Sequence, residues 1–555
     1  MTASASGASS QAPYRSAPSA MLGEATALYR DFLHSRDQLA PHLGPAFDDE
    51  ASLAQLAARL QRRTYQRELL ARALDDLAVQ SSAPAAVKGQ IESLRRPDSL
   101  VVFAGQQAGL FTGPLYAIYK ALTAERWAAD LARRLAVPVI PCFWLCSDDH
   151  DFAEVDHVDV PCAGRVTTVR YVPASAPSGT PIGRVVLDSG IEVAIDALRK
   201  CLPESALAAA ALDEVARCYP AGATLSSAFA SLWYRMFPDS KLLFVAPDHP
   251  ALAKLAAPLL ARALADDAQL HATYASASIE LEAAGYHRQA HKVPSQTFLF
   301  HQHPARHAIH KVASGRFAWE GAEPVSADLL QQMCEARPEE FSPDVLLRPV
   351  VQNALFPTVG VVLGPAEVAY YAQIGGLHDH FDAPRPATLA RTSVTLLERS
   401  TLQRLAEHDI DIESLRTDAD REVARVLRAR FPPDIELKLQ AATQRINTSV
   451  AELGADLSRF DPALGATVRA AAARIDRQMN TVSDKAHAAH RRREHTAQAQ
   501  IRSVALHLFP RGGLQERSFN IVYYWARYGR QLLDALHRQW PIGRRDPLLW
   551  EIGAP

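Results

Sequence analysis

Runs of apolar residues alternate with short polar segments across residues 100–154, in an order typical of a parallel sheet. The apolar runs at 100–104 and 137–146 have the length and β-branched content of buried strands. Between them, residues 115–131 carry apolar side chains every three or four positions, which predicts an amphipathic helix. This order of strand, helix and strand predicts a βαβ unit, whose ligand site lies beyond the carboxyl ends of its strands.

Apolar runs further along the chain extend this pattern. Residues 241–250 predict a buried strand followed by a helix that starts near Pro250. Two more strands are predicted near 345–351 and 358–363, and a Gly-Pro pair then opens another helix. We therefore expect an α/β fold with one mostly parallel sheet built from residues 100–395.

Other segments of the first 395 residues are predicted to surround this sheet. Apolar periodicity predicts covering helices within residues 21–95. Residues 156–235 and 286–340 are interpreted as insertions, each with a hairpin; in the first, VTTVRYVP and IGRVVLD are the predicted strands. Residues 1–20 are small and polar, without the apolar region of a signal peptide, and predict a disordered tail.

The pattern changes to long helices after residue 395. Apolar residues recur at alternating threes and fours on both sides of the break at Asp461 and Pro462, which predicts an antiparallel hairpin with a coiled-coil seam in a helical arm over 396–505. Such an arm buries little by itself, so we expect a homodimer formed through it. The aromatic segment 506–555 is predicted to pack back on the core.

Composition narrows the class of protein. Apolar residues make up 48 % of the chain and charged residues 22 %, as in a soluble globular protein. The net charge of −2 gives no reason to expect nucleic acid or a membrane as a partner, and no apolar run approaches a membrane span. Six cysteines in 555 residues form no disulfide framework, and we expect a cytoplasmic protein with reduced thiols.

The first candidate for chemistry is the glycine-rich turn GQQAGLFTG after the strand at 100–104. Its glycines, Gly109 among them, let backbone N–H groups approach an anion at a helix N-terminus. Gln106 and Gln107 add amide groups, and Tyr116 and Lys120 share one face of the helix. Lys120 is a candidate to neutralise a phosphate or carboxylate; the alternative is a surface lysine. We expect Gln106, Gln107, Gly109 and Tyr116 to bind substrate.

The second candidate is the acidic loop SDDHDFAE after the strand at 137–146. Asp148, Asp149, His150, Asp151 and Glu154 bring four carboxylates and an imidazole together at a strand end. Adjacent like charges are unfavourable unless a cation binds or the carboxyls titrate abnormally. Binding of a magnesium–nucleotide complex, binding of an amine, or general-base catalysis would each explain these clustered carboxylates; the alternative is a solvated loop. Asp149, His150 and Asp151 are predicted to be catalytic, together with Lys120 of the first candidate, and Asp148 and Glu154 are predicted to bind substrate.

A third group lies later in the chain, at the end of a predicted strand and on the following helix. An arginine at a sheet end is suited to hold a carboxylate or phosphate, and the alternative is a structural ion pair. The predicted substrate-binding residues here are Arg348, Gln352, Asn353, Glu367, Tyr370, Tyr371 and Arg391.

No metal site is predicted. Cys142 and Cys146 point to one face of a strand but lack two further zinc ligands at suitable spacing, so buried free thiols are the better interpretation. Several histidines cluster in the second insertion, but a variable hairpin region with many histidines is weak evidence for a metal: His287, His291, His301, His303, His307 and His310.

Several segments carry a family likeness. They are VVFAGQQAGLFTGPLYAIYKALTA, PCFWLCSDDHDFAEVDHV, FSPDVLLRPVVQNALFPT, GPAEVAYYAQI and FPRGGLQERSFNIVYYWARYG. In these residues the chain resembles the BshC family, the cysteine-adding enzymes of bacillithiol biosynthesis. The resemblance implies a Rossmann-like core with two connecting-peptide insertions and a C-terminal α-helical coiled-coil domain that mediates dimerisation.

The resemblance also implies an activity: a cysteine ligase joining L-cysteine to the glucosamine nitrogen of glucosaminyl malate, the last step of bacillithiol synthesis. It associates ATP or ADP with the family, and Mg²⁺ is a further candidate cofactor. Because an amine and a free carboxylate do not condense unaided in water, the cysteine carboxylate needs activation, as an acyl phosphate or acyl adenylate. We expect the glycine turn with Lys120 to hold an anionic group and Arg348 to hold a substrate carboxylate.

Two alternatives remain open at this point. One is a nucleotide-dependent ligase or nucleotidyltransferase that acts on another amine. The other is a non-catalytic dimeric scaffold, against which the acidic loop argues, because a scaffold has no use for buried repelling carboxylates.

Overall fold

A computed structural model describes residues 13–18, 21, 25–175, 178–312 and 315–553 of the chain. The described residues form two compact units: one from the ranges Met1–Leu396 and Gly513–Pro555, the other from Leu397–Gly512. The first unit therefore contains the predicted sheet together with the C-terminal segment, and the second contains the predicted helical arm. No described helix is long and apolar enough to cross a membrane.

The strands are numbered in chain order. They are β1 Tyr14–Ser16, β2 Leu100–Gln106, β3 Val139–Leu145, β4 His157–Cys162, β5 Arg165–Arg170, β6 Leu243–Val245, β7 Gln296–Gln302, β8 Arg306–Lys311, β9 Phe317–Ala318, β10 Phe341–Pro343, β11 Thr358–Leu363, β12 Ala387–Ala390, β13 Val394–Glu398 and β14 Leu548–Ile552.

The α-helices follow the same convention. Those that precede the second unit are α1 Ala27–His34, α2 Glu50–Gln61, α3 Arg67–Gln80, α4 Ala85–Leu94, α5 Leu115–Leu135, α6 Phe152–Val155, α7 Gly190–Arg199, α8 Ala206–Cys218, α9 Leu225–Met236, α10 Pro250–Ala265, α11 Asp267–Ala283, α12 Ala327–Ala336, α13 Arg348–Leu355, α14 Pro365–Gln373 and α15 Gly375–His380. The remainder are α16 Arg399–Glu407, α17 Ile412–Thr417, α18 Ala419–Ala429, α19 Pro433–Phe460, α20 Leu464–Arg493, α21 His495–Leu508, α22 Gln515–Ser518 and α23 Ile521–Gln539.

The centre of the first unit is a five-stranded parallel sheet in the order β12-β11-β2-β3-β6. The chain runs outward from β2 to β6 on one side and then from β11 to β12 on the other. The order therefore reverses between β2 and β11, which is where open α/β sheets bind ligands. The predicted parallel sheet is confirmed, as are the strand before Pro250 and the helix that begins at Pro365.

Two predicted strands are wrong. Residues 345–351 were expected to be extended, but α13 begins at Arg348. The Arg348 backbone N–H donates a helical hydrogen bond to the carbonyl of Asp344. In the first insertion the hairpin is β4–β5, so the predicted second strand IGRVVLD is not part of it. A short 3₁₀ helix, Ile182–Arg184, occupies that segment. Both errors come from short apolar runs, for which periodicity does not separate strand from helix.

The second insertion contributes its own antiparallel sheet, in the order β10-β7-β8-β9. A further small sheet, β1-β14-β13, contains the strand Tyr14–Ser16 near the N-terminus. The Tyr14 ring lies 5.5 Å from that of Trp550 on β14. The expectation of a disordered tail is therefore wrong for residues 13–18; residues 1–12, 19 and 20 lie outside the described part of the chain.

Asn520, in the C-terminal segment, fixes the glycine turn between β2 and α5. Its side-chain Nδ2 donates to the carbonyls of Phe111 and Gly113, at 2.8 and 2.6 Å, and its Oδ1 accepts from the N–H of Val522. Gly113 has φ of +69°, and a Cβ added at Gly109 would lie 2.9 Å from the Gly113 Cα. The glycines are therefore required by the tight turn itself.

The second unit contains the predicted helical hairpin, formed by α19 and α20. The two helices run antiparallel: Gly454 faces Val468 near the turn, and Glu436 pairs with His487 at the other end. No residue of α19 is fully buried within the chain. Leu453 and Phe460, two positions of the predicted seam, are exposed, Phe460 by 84 %.

We expect Asn520→Ala to destabilise the first unit by about 2–4 kcal/mol, because it leaves two buried carbonyls without a donor and removes a helix cap. Urea unfolding followed by tryptophan fluorescence measures this, since the seven tryptophans of the chain all lie outside residues 397–512. Gln332→Ala, on the exposed surface of α12, is the control and should change the stability by less than about 0.5 kcal/mol. Equal effects of the two substitutions would contradict the assignment.

Candidate functional site

A cavity of about 330 Å³ opens at the carboxyl end of the parallel sheet. Its walls come from the ends of β2 and β3, from the start of α13 and α14, and from the second insertion. Its volume is at the low end of the range for small-molecule sites. The predicted residues that line it are Gln106, Gln107, Asp148, Asp149, Arg348, Glu367 and Tyr370.

The glycine turn and the acidic loop meet in this cavity. Gln107 Nε2 donates to Asp149 Oδ2 at 2.7 Å, which joins the residues that follow β2 and β3. Asp149 Oδ1 also accepts from the His150 N–H and from Arg306 Nη1, at 2.7 and 3.3 Å. The Asp149 carboxylate is thus surrounded by three donors and acts as an acceptor that holds the two loops together.

His150 stands at the edge of this arrangement. Its Nδ1 accepts from Arg306 Nη1 at 3.2 Å, which leaves the ring proton on Nε2. The ring packs beside Phe300 and is partly exposed. His150 is not among the residues that line the cavity.

Lys120 is buried and bound within the protein. Its Nζ donates to the Gly105 carbonyl at 2.8 Å and to Gln106 Oε1 at 3.1 Å, and it pairs with Glu367 Oε2 at 2.7 Å. These three partners satisfy the three N–H groups of the ammonium. Burial lowers the pKa of Lys120, while the Glu367 carboxylate opposes that shift. The geometry therefore gives Lys120 a positioning role at the base of the site, in contrast to the predicted contact with an anionic substrate.

Asp148 differs from its neighbours because its carboxyl faces the cavity and is nearly buried. Among the described residues, only its own backbone N–H is a hydrogen-bond donor to this side chain. Burial raises the pKa of Asp148 to about 6, Arg306 and Arg348 lower it and Asp149 raises it further. A carboxyl with this pKa is ionised at neutral pH and can accept a proton, as a general base requires.

Arg348 supplies the open positive charge of the cavity. It donates to Gln352 Oε1 at 3.0 Å and to the hydroxyls of Tyr370 and Tyr371. Within the described ranges it has no carboxylate partner at ion-pair distance, unlike Lys292 and Arg306. A buried guanidinium without a counter-ion favours an anionic ligand such as a carboxylate.

The structure does not bring every predicted residue to the cavity. Those outside its walls are Gly109, Tyr116, Lys120, His150, Asp151, Glu154, Gln352, Asn353, Tyr371 and Arg391. Asp151 and Glu154 are exposed on the far part of the acidic loop. Arg391 forms a buried ion pair with Glu516 at 2.5 Å, which is the structural alternative that the sequence left open. Gln352 and Asn353 lie on α13, beside Arg348 but behind the wall.

Sequence reasoning missed the residues that the second insertion contributes. Arg306 Cζ lies 3.9 Å from the Phe300 ring centre, and Lys292 Nζ pairs with Asp344 Oδ2 at 2.5 Å; all four side chains line the cavity. The available sequence signal was the high content of basic and aromatic residues in this insertion, which is interpreted above as a variable hairpin region. The contact between Arg306 and Asp149 exists only in three dimensions.

The implied nucleotide and metal do not fit these residues well. The N–H groups of Gly109 and Gly113 donate to carbonyls of their own turn, and that of Thr112 donates to the Tyr219 hydroxyl, so these three N–H groups are not free to hold a phosphate. The described part of the chain has no group of three or more His, Cys, Asp and Glu side chains able to hold a metal ion. The histidines of the second insertion therefore form no such cluster, and no step is assigned to a protein-bound metal.

Comparison with known proteins matches both units to one family. Residues 18–392 match the family model described as "Bacillithiol biosynthesis BshC, N-terminal Rossmann-like domain", and residues 394–541 match "Bacillithiol biosynthesis BshC, C-terminal coiled-coil domain".

Similar proteins cover nearly the whole chain. A protein named "Putative cysteine ligase BshC" from Salinibacter ruber is 32 % identical over 521 residues, which is 94 % of this chain and 95 % of that protein. A protein of the same name from Koribacter versatilis is 32 % identical over 94 % of this chain and 96 % of its own length. One from Anoxybacillus flavithermus is 28 % identical over 86 % and 90 %.

We expect Asp148→Asn to stabilise the protein near pH 7.5. The folded-state pKa of about 6 lies above the ordinary value of 3.8, so the wild type loses stability as pH rises through this window. The gain of the variant over the wild type should grow from near zero at pH 4 to about 2–3 kcal/mol at pH 7.5. Urea unfolding at a series of pH values measures it.

Asp151→Asn is the matched control, because it makes the same change on an exposed side chain of the same loop. It should show no such pH-dependent gain. A constant difference between Asp148→Asn and the wild type at all pH values would contradict the raised pKa.

Proposed function

The chain belongs to the BshC family of bacillithiol biosynthesis, and we propose that it is a cysteine ligase that forms an amide bond between L-cysteine and the glucosamine amine of glucosaminyl malate. The observation that carries this proposal is the pairing, in one cavity, of an open buried carboxyl at Asp148 with an open guanidinium at Arg348. The family and the names of the relatives supply the reaction class.

Amide formation requires the protein to accept a proton and to position two substrates. The attacking amine must lose a proton as the carbon–nitrogen bond forms, and the substrates must be held so that the amine meets the acyl carbon. Asp148 is suited to the first task, since at pH 7.5 its carboxyl is mostly ionised and free of a cationic partner at ion-pair distance within the described chain. It replaces Asp149, His150 and Asp151 as our candidate base.

Arg348 is suited to the second task. A malate group carries carboxylates, and a planar guanidinium binds a carboxylate through two parallel hydrogen bonds. Tyr370 and Tyr371 accept from Arg348 and keep its plane oriented, with Tyr370 also forming part of the wall. Gln107 and Gln106 add amide groups to the cavity wall, Gln107 bonded to Asp149 and Gln106 to Lys120.

The acyl carbon of cysteine must be activated before the amine attacks, since a carboxylate oxygen is a poor leaving group. A bound nucleotide would supply that activation by converting the carboxylate to an acyl phosphate or acyl adenylate. The residues of this chain then hold the substrate carboxylate through Arg348 and accept the proton of the amine through Asp148.

We expect purified protein with L-cysteine, glucosaminyl malate, ATP and Mg²⁺ to form a thiol product whose mass equals that of both substrates less one water. Asp148→Asn should lower kcat by about 10²–10⁴-fold, because the proton acceptor is lost, and should remove the rise of activity through pH 6. Arg348→Gln should act mainly on KM for glucosaminyl malate.

Asp151→Asn tests the competing assignment on the same loop, and should keep activity within a few-fold of wild type because its side chain lies outside the cavity. Product formed with other amines but not with glucosaminyl malate would favour a different ligase. Full activity in both Asp148→Asn and Arg348→Gln would rule out this cavity as the site.

We further propose that two copies of the chain associate through the α19–α20 hairpin. Apolar residues Ile435, Leu453 and Phe460 repeat at helical spacing along one face of α19, and all three are exposed. Exposed apolar rows of this kind are typical of helices that bury them against a partner. The description of residues 394–541 as a coiled-coil domain supports this view.

We expect the double substitution Leu453→Glu and Phe460→Glu to convert a dimer to a monomer, because it introduces buried like charges at a two-fold interface. Sedimentation equilibrium measures the mass. Glu452→Ala, on a neighbouring exposed position of α19, is the control and should leave the dimer intact. A wild-type protein that is monomeric at micromolar concentration would contradict the proposal.

A further inference from the structure

Two cysteine thiols lie side by side in the first insertion, away from the cavity. Cys162 is the last residue of β4, and Cys201 follows the end of α7. Cys162 Sγ donates to the carbonyl oxygen of Lys200, the residue before Cys201, at 3.9 Å, which places the two thiols next to each other. Neither residue contributes to the cavity walls.

These two thiols differ from most of the other cysteines in access to solvent. Cys142, Cys218 and Cys334 are buried, and burial raises the pKa of each of these thiols, so they are inert. Cys146 is partly exposed, but it lies in the cavity wall and, among the described residues, has no second thiol as a hydrogen-bond neighbour. Cys162 and Cys201 are only half-buried. They are therefore an adjacent pair of free thiols that a small molecule can reach.

The surroundings allow a bond between them without a large rearrangement. A disulfide needs the two sulfur atoms at about 2 Å, and Cys162 Sγ already contacts the residue that precedes Cys201. Cys162 lies beside the two-residue turn of the β4–β5 hairpin, paired with Arg165, and Cys201 lies in the segment after a helix end. Both cysteines lie at the end of a strand or helix, where small backbone shifts cost least.

We propose that Cys162 and Cys201 form a reversible redox pair that reacts with low-molecular-weight disulfides. The Cys162 thiolate attacks one sulfur of the disulfide RSSR, which forms a mixed disulfide and releases one thiolate RS⁻. Cys201 then gives its proton to solvent and attacks Cys162 Sγ, which releases the second RS⁻. Two electrons pass from the protein to RSSR, and excess RSH reverses both steps.

The order of attack follows from the environments of the two sulfurs. Burial and the hydrogen bond to Cys162 raise the pKa of Cys201 to about 12, so its thiol stays protonated at neutral pH. Because Cys162 also lies beside the exposed hairpin turn, we assign it as the attacking sulfur and Cys201 as the resolving one. The redox pair needs no part of the proposed ligase chemistry, and it stands or fails independently of that function.

Glutathione disulfide is the probe, and intact mass with peptide mapping under non-reducing conditions is the readout. Wild-type protein should lose two hydrogens and carry no adduct, and dithiothreitol should restore its mass. Cys201→Ser should accumulate one glutathione on Cys162 at a rate within about threefold of wild-type disulfide formation, because the first attack is shared. Cys162→Ser should react at least about tenfold more slowly.

Cys218→Ser is the matched control and should still form the disulfide, since Cys218 is buried elsewhere. The proposal is overturned if wild type keeps all six thiols or retains a stable glutathione adduct. It is also overturned if Cys162→Ser forms the disulfide as fast as wild type, because another sulfur would then be the one that attacks.

Discussion

The buried ion pair between Lys120 and Glu367 holds together the point where the strand order of the sheet reverses. Lys120 lies on the helix that follows β2, and Glu367 lies on the first turn of the helix that follows β11. Glu367 Oε2 also accepts from the Gly364 N–H at 2.8 Å, which fixes the start of its own helix. A buried ammonium is tolerated only when it is paired and fully hydrogen-bonded. The pair therefore sets the orientation of Gly105 and Gln106, and through them the floor of the cavity.

The charges of the cavity divide into two kinds. The pairs of Asp149 with Arg306, Asp344 with Lys292 and Glu367 with Lys120 are closed, because each carboxylate already has a cationic neighbour. Two groups stay open: the carboxyl of Asp148 and the guanidinium of Arg348. Closed pairs stiffen the walls, whereas a carboxylate and a guanidinium without ion-pair partners in the described chain can each interact with a substrate. Asp148 and Asp149 therefore differ although they are adjacent carboxylates: Asp149 has an ion-pair partner and Asp148 has none in the described chain.

Much of the fold could be predicted from the sequence, and less of the site. The β2–α5–β3 unit and the α19–α20 hairpin have strong local periodicity, so their types followed from the residues alone. Residues 345–351 were misassigned because a short apolar run fits either strand or helix. The sequence also brought Gln107 and Asp149 to one edge, since both follow strands of one parallel sheet. It could not rank Asp148 above Asp151, because burial and partners depend on Arg306, which lies more than 150 positions later.

The cavity is lined by two parts of the chain that differ in how well the fold tolerates substitutions in them. Gln107 and Asp148 follow β2 and β3, two strands that have neighbours on both sides. Phe300 and Arg306 lie in the separate antiparallel sheet, and Lys292 lies in the segment that leads into it. Substitutions in this inserted sheet can alter the shape offered to an incoming amine without disturbing the main sheet. The inserted sheet is therefore the part of the cavity wall that can change with the least effect on the fold, while Asp148 stays in place after β3.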